Sequence, residues 1–203
     1  MGVSARNDWS STLPKDHRSY FYPAVTASFV FTDAFHINSN ALNFGKIRAS
    51  WAKVGNDASP YYNNGTYLLG QPYLGQAQMA LRDVRFDPKL KPEFTSEVEV
   101  GLDLQMFNSR LNLDFSYYNR NSTDQIAPLS LPYSTGYTSY YTNFGKMNNH
   151  GLEIGLDATP VIAGGFKWNL YGTFSKNWSE VKELINGVEE ITVGGAFPLP
   201  NRY

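Results

Sequence analysis

Residues 97–120 carry two runs of alternating character, and this alternation constrains the fold more than any other feature of the chain. In the first run, Val98, Val100, Leu102, Leu104 and Met106 alternate with Glu97, Glu99, Gly101, Asp103 and Gln105. In the second, Leu111, Leu113, Phe115 and Tyr117 alternate with Asn112, Asp114, Ser116 and Tyr118. A period of two marks a strand with one apolar and one polar face. Only Phe107, Asn108 and Ser109 separate the polar-tipped end of one strand from the start of the next, so the pair predicts a hairpin. The pattern leaves open which face meets water. In a soluble sheet the apolar side is buried; in a membrane barrel it faces lipid, and the polar side faces a wet lumen.

The same period recurs along the chain. Val25, Ala27, Phe29 and Phe31 alternate with Thr26, Ser28 and Val30; Ile47, Ala49 and Trp51 alternate with Lys46, Arg48 and Ser50. Leu152, Ile154, Leu156 and Ala158 alternate with Glu153, Gly155, Asp157 and Thr159. Trp168, Leu170 and Phe174 alternate with Asn169, Tyr171, Thr173 and Ser175, Gly172 completing the apolar row. Helical spacing is nearly absent; its best candidate, residues 179–185, opens on a capping serine but is too short to anchor a core. The connections alternate in length. Short turns at 107–109 and 160–166 contrast with long segments at 55–92, 121–142 and from 179 onward. Compact soluble domains rarely carry repeated loops of that length, whereas outer-membrane barrels pair short periplasmic turns with long extracellular loops. The expected fold is all-β: about seven strands of an antiparallel, up-and-down transmembrane barrel. An internal echo supports repeated hairpins: Glu99-Val100-Gly101-Leu102-Asp103 returns as Glu153-Ile154-Gly155-Leu156-Asp157.

Composition narrows the function. With 17 basic and 18 acidic residues the net charge is −1, which disfavours a general nucleic-acid binder. No cysteine is present, so neither a disulfide framework nor a thiolate metal site is expected. No stretch reaches the roughly 18 apolar residues of a membrane helix, and the first residues lack the basic start and apolar core of a secretory signal.

Residues that could carry chemistry read mostly as wall. Glu97, Glu99 and Asp103 share one strand face, with Asp114 within reach across the ladder; Glu153 and Asp157 repeat the pattern. Paired carboxylates can hydrolyse glycosides, but no cleft-forming pattern accompanies these. A solvated lumen wall is the simpler expectation, and aligned acids then require basic neighbours, which Lys46 and Arg48 can supply. His17, His36 and His150 are isolated and lack metal-ligand spacing. No phosphate-binding glycine loop or other cofactor motif occurs. The long connections are rich in tyrosine, and Tyr61, Tyr62, Tyr133 and Tyr137 are the candidates for contact with a ligand, since exposed rings stack on sugars and anchor peptides.

Seven stretches carry a resemblance: "RNDWSSTLP" (6–14), "YFYPAVTASFVFTDAF" (20–35), "KIRASWAKVGND" (46–57), "LKPEFTSEVEVGLDL" (90–104), "FNSRLNLDFSYYNRNSTDQI" (107–126), "STGYTSYYTNFGKMNNHGLEIGLDATP" (134–160) and "WNLYGTFSKNWSEV" (168–181). In this order they resemble the SusC/RagA family of TonB-linked outer-membrane receptors. The resemblance implies a place in the cell outer membrane of a Gram-negative bacterium, a barrel of about 22 strands around a plug, and no enzymatic activity or cofactor. It also implies TonB and a SusD-like surface lipoprotein as partners, and energised uptake of large nutrients, oligosaccharides or peptides. The chain shows no plug, TonB box or aromatic-terminated closing strand, so residues 1–203 are expected to be an internal part of the receptor β-barrel domain. The competing expectation is a secreted carbohydrate-binding β-sandwich, in which the apolar faces would pack on a second sheet.

Overall fold

The structure, a computed structural model, describes residues 1–37, 39–61 and 65–184. The chain runs through β1 (Gly2–Trp9), β2 (Ser19–Val30), a one-turn helix α1 (Phe31–Ala34) and β3 (Leu42–Asn56). It continues through β4 (Tyr67–Leu69), β5 (Met79–Leu81), β6 (Val84–Phe86), β7 (Glu93–Met106) and β8 (Leu111–Thr123). β9 (Ile126–Ser130), β10 (Ser139–Asn143), β11 (Gly145–Ala163) and β12 (Phe166–Leu184) follow. One sheet of seven strands, in the order β1-β2-β3-β7-β8-β11-β12, forms the body. Every neighbouring pair in it is antiparallel, so the chain walks across the sheet up and down without a crossover.

The expected hairpins are present. β7 and β8 turn through Phe107, Asn108 and Ser109, all three with left-handed backbone (φ 56°, 56° and 60°). β11 and β12 turn through Gly164 and Gly165, whose φ of 56° and 82° suits residues without a Cβ. That turn is tighter than expected, because Val161, Ile162 and Ala163 continue the β11 ladder. The α1 segment reaches the same end of the sheet as the 107–109 turn: the Phe107 amide donates to the Ala41 carbonyl at 3.3 Å. The segments 57–92 and 124–144 leave from the opposite end.

Four expectations are corrected. β1 was not foreseen as a strand; it is recruited by its ladder with β2 from Gly2↔Thr26 to Trp9↔Ser19. The long connection expected from 179, with its short candidate for helical spacing at 179–185, is strand through Leu184, because β11 offers Asn149, Asn148, Met147, Lys146 and Gly145 as partners for Ser179, Glu180, Val181, Glu183 and Leu184. Non-local pairing overrides the local capping signal there, and Ile185 lies outside the described residues. The strand expected from the alternation of Leu152 to Thr159 is longer at both ends: β11 begins at Gly145, directly after β10 (Ser139–Asn143) of a separate sheet, and runs to Ala163. The long segments are also not structureless: β6, β10 and β9 form a three-stranded sheet, and β4 and β5 a two-stranded one.

The hydrophobic core is small and lies off the sheet's centre. Leu13, Tyr20, Ala58 and Leu90 are the buried apolar residues among those described, flanked by Tyr22, Phe94 and Ile126. The apolar rows of the large sheet stay uncovered. One row crosses six strands as Phe29, Ile47, Leu102, Phe115, Ile154 and Phe174. Ile47 is 45% exposed, Val100 45% and Phe174 55%. No second sheet packs on this face among the described residues, which sets aside the sandwich. Large side chains left bare in continuous rows are what a lipid-facing wall requires.

Candidate functional site: the polar face of the sheet and its loops

The face opposite the apolar rows is built from residues whose side chains must reach across strands. In one row Ser28, Arg48, Gly101, Ser116, Glu153 and Ser175 lie side by side; in the next are Lys46, Asp103, Asp114, Gly155 and Thr173. Asp103 and Asp114 are therefore direct cross-strand partners, a like-charge pair that destabilises a sheet unless compensated. Arg48 compensates it. From β3 its guanidinium crosses β7, pairs with Asp103, donates to Asp114 at 2.8 and 3.2 Å and reaches the Ser116 hydroxyl at 2.5 Å. Glu99 lies 3.7 Å from its Nε, and Lys46 binds the other oxygen of Asp103 at 2.5 Å.

This crossing depends on Gly101. A Cβ there would stand 2.3 Å from Arg48 Nε and 2.6 Å from Cζ, a distance no real contact has. The same device appears one hairpin on. Tyr118 lies across Gly151 to donate to Asn177 Oδ1 at 3.1 Å, and a Cβ on Gly151 would meet the phenol oxygen at 2.7 Å. In both cases a glycine on the middle strand lets a long side chain tie together strands that are not neighbours.

Of the acids expected along the wall, Glu97 pairs with Arg120 at 2.5 Å, and Glu99, Asp103 and Asp114 gather on Arg48. Glu153 and Asp157 share the face but form no ion pair among the described residues. A hollow of about 420 Å³ opens between the two groups, lined by Glu99, Tyr118, Arg120, Glu153 and Asn177 among others. Lys46 and Arg48 supply the compensating charge. Asp103 and Asp114 are thus both engaged by cations, an arrangement unsuited to a free general acid–base pair.

The candidate tyrosines that are described sit on two separate connecting segments. Tyr61 is 68% exposed and takes a left-handed backbone (φ 69°), and Tyr133 is 85% exposed in a one-turn 3₁₀ helix. Tyr137 is half-buried after Gly136, and Tyr62 lies outside the described residues. The two long segments nevertheless form one unit that the sequence did not disclose. β6 and β10 pair in parallel, and Asp87 accepts a hydrogen bond from the Thr142 hydroxyl at 2.7 Å. Burial would raise the Asp87 carboxyl, but hydrogen bonds from Thr142, the Lys89 amide and Tyr140 outweigh it and hold it below the usual carboxylate range. Burial, together with the charge of Asp87, raises the Tyr140 phenol. A three-residue strand carries too little pattern to be read from sequence, so β6 and its parallel partner had no visible signal.

Comparison with known proteins agrees with this architecture. Residues 2–201 match the TonB dependent receptor-like β-barrel family. The TonB-dependent receptor P26 of Formosa agariphila is 31% identical over 195 residues, a match covering 94% of this chain and 20% of that protein. SusC of Bacteroides thetaiotaomicron is 28% identical over 90% of this chain and 19% of its own length. Among solved structures, the RagAB peptide importer in its closed-closed state superposes with a TM-score of 0.86 at 25% identity, over 95% of this chain and 21% of that one. The chain thus spans about a fifth of the length of the relatives it matches. Those relatives are outer-membrane receptors, and the bare apolar rows find their solvent in lipid. The chain belongs to the TonB dependent receptor-like β-barrel family, and its seven-stranded sheet is a stretch of such an outer-membrane β-barrel.

Proposed function

We propose that residues 1–203 form part of the barrel wall of an importer that brings large polar nutrients, oligosaccharides or peptides, across the outer membrane. The observation that carries this reading is the fit of 95% of the chain to the RagAB peptide importer at a TM-score of 0.86. The polar face supports it. Glu97, Glu99, Asp103, Asp114, Glu153 and Asp157 lie along the lumen wall, where charge stays solvated or paired while lipid covers the other side. The 107–109 and 164–165 turns lie in the periplasm, and the segments 57–92 and 124–144 face outward. There Tyr61, Tyr133 and Tyr137 offer rings to the arriving solute, next to a SusD-like surface lipoprotein that covers the mouth. TonB supplies energy through parts of the receptor beyond this stretch.

The experiment uses the full-length receptor in its host. Deleting its gene abolishes growth on one oligosaccharide or peptide class, and complementation restores it only while TonB is present. Tyr133→Ala and Tyr61→Ala weaken solute binding without changing folding. Because the chain has no cysteine, orientation is read separately: Thr135→Cys reacts with an impermeant thiol reagent on intact cells, and Asn108→Cys reacts only after the outer membrane is opened. Growth unaffected by deletion on any such nutrient overturns import; the reverse labelling overturns the orientation.

A further inference from the structure

The lipid-facing side of the sheet carries a polar cluster that neither packing nor transport uses. Towards the long-loop end, the outward row Ala49, Val100, Tyr117 and Leu152 ends on Lys176. The row above it reads Trp51, Val98, Asn119, His150 and Trp178. The surface thus turns from apolar to polar as it crosses from β7 to β12. Asn148, only 8% exposed, organises the polar part. Its amide nitrogen donates to Asn119 Oδ1 at 2.6 Å and Asn121 Oδ1 at 2.8 Å, so its own oxygen must accept. The donor is His150 Nδ1 at 3.1 Å. This places the proton of a neutral ring on Nδ1 and leaves Nε2 as the atom with no protein partner among the described residues.

Two groups that can carry positive charge lean on one indole. The His150 ring stacks on Trp178 at 5.4 Å and 14°, and Lys176 Nζ sits 4.9 Å from the centre of a Trp178 ring. Neither has a carboxylate partner among the described residues. The nearest outward acid by register, Glu180 opposite Asn148, is taken by Lys182 at 2.5 Å. The wall acids Glu97, Glu99, Asp103, Asp114, Glu153 and Asp157 all lie on the other face. Deep in hydrocarbon such a relay would be costly; the headgroup level, where tryptophan and lysine anchor barrels, supplies polar groups that can solvate it.

We propose that this cluster is a binding site for a phosphate of an outer-leaflet glycolipid headgroup, with Lys176 Nζ and His150 Nε2 as its donors. Trp178 supports both donors, and the Asn148 relay fixes the imidazole. A phosphate oxygen accepts a charge-assisted hydrogen bond from the ammonium, and a second accepts from His150 Nε2 when the ring carries both protons. The acyl chains run down the Leu152–Phe174 surface immediately below.

The test uses full-length receptor purified in detergent and offered lipid A or its enzymatically dephosphorylated form, with bound lipid counted by native mass spectrometry. Wild-type receptor retains the phosphorylated form preferentially. Lys176→Gln and His150→Gln each retain about tenfold less, the loss of one charged hydrogen bond. Both variants still show heat-modifiable migration on gels, which separates lost binding from lost folding. Lys53→Gln, whose ammonium lies 4.1 Å from the centre of the Phe94 ring on distant strands, leaves retention unchanged. Equal retention of both lipid forms, unchanged retention in the two variants, or an equal loss with Lys53→Gln overturns the site. Displacement of the lipid by inorganic phosphate at equal concentration also overturns it, since the acyl chains then contribute nothing.

Discussion

The two copies of Glu-x-Gly-x-Asp begin alike and end differently. Each lies on the first strand of a short-turn hairpin, Glu99 to Asp103 on β7 and Glu153 to Asp157 on β11. Their outward residues do the same work: Val100, Leu102, Ile154 and Leu156 all join the bare apolar rows. Their inward residues do not. In the first copy Gly101 is covered by Arg48, and Glu99 and Asp103 are gathered on that guanidinium. In the second, Gly155 lies between Asp114 and Thr173, and an added Cβ would meet only the Asp114 Cβ at an ordinary 3.7 Å. What separates the copies is the strand next door. β3 brings Lys46 and Arg48 to the first; β8 and β12 bring Ser116, Asn112, Thr173 and Ser175 to the second. Identical residues are therefore gathered on a cation in one place and form no ion pair among the described residues in the other.

The largest effect tests the half of the comparison in which the copies agree. Leu102→Arg and Leu156→Arg each place a charge in the lipid-facing band, and each is expected to cost about 2–4 kcal/mol. Urea unfolding of the full-length receptor in lipid vesicles measures both. Costs that differ by more than their errors would break the equivalence of the outward faces.

A smaller effect tests the half in which they differ. Gly101→Ala drives Arg48 off its carboxylates and leaves Lys46 alone to offset the facing Asp103 and Asp114, an expected loss of about 1–3 kcal/mol. Gly155→Ala makes only an ordinary contact with the Asp114 Cβ at 3.7 Å and is expected to stay within about 0.5 kcal/mol of the parent. Arg48→Ala combined with Gly101→Ala should be no worse than Arg48→Ala alone, because the glycine matters only while the guanidinium crosses it. Equal losses for the two glycine variants would show that the crossing contributes nothing.

The contrast also marks how far sequence can reach. β7, β8 and the middle of β11 were legible because each face meets one uniform environment for nine or so residues, lipid outside and polar groups inside. β1 was not, since Arg6, Asn7 and Asp8 place polar residues on both faces. The end of β12 was not, because Lys176, Glu180 and Lys182 lie beyond the apolar band, where alternation carries no contrast and the spacing of residues 179–185 mimics a helix. The acids of the polar face were legible as a set, and so were Lys46 and Arg48 as their neighbours. Which acid meets which cation was not, for that depends on register across β3, β7 and β8. No single strand encodes that register. The Asn148–His150–Trp178 cluster was invisible for the same reason: His150 appeared isolated in the chain, and its partners arrive from β8 and β12.

The smallest effect is the most specific to the comparison. Asp103→Asn removes a carboxylate shared by Lys46 and Arg48 on a partly solvated wall, and exposure limits its worth to about 1 kcal/mol. Asp157→Asn removes a charge with no ion-pair partner among the described residues and is expected to change stability by less than about 0.5 kcal/mol. Salt sharpens the distinction. Raising ionic strength from about 0.01 to 1 M shortens the screening length from about 30 to 3 Å. The cost of Asp103→Asn should therefore shrink with added salt, while that of Asp157→Asn stays flat. Urea unfolding at the two salt concentrations reads both slopes. A salt-dependent cost for Asp157→Asn would mean that a cation from another part of the receptor reaches the second copy, and the two copies would then differ only in which strand supplies their charge.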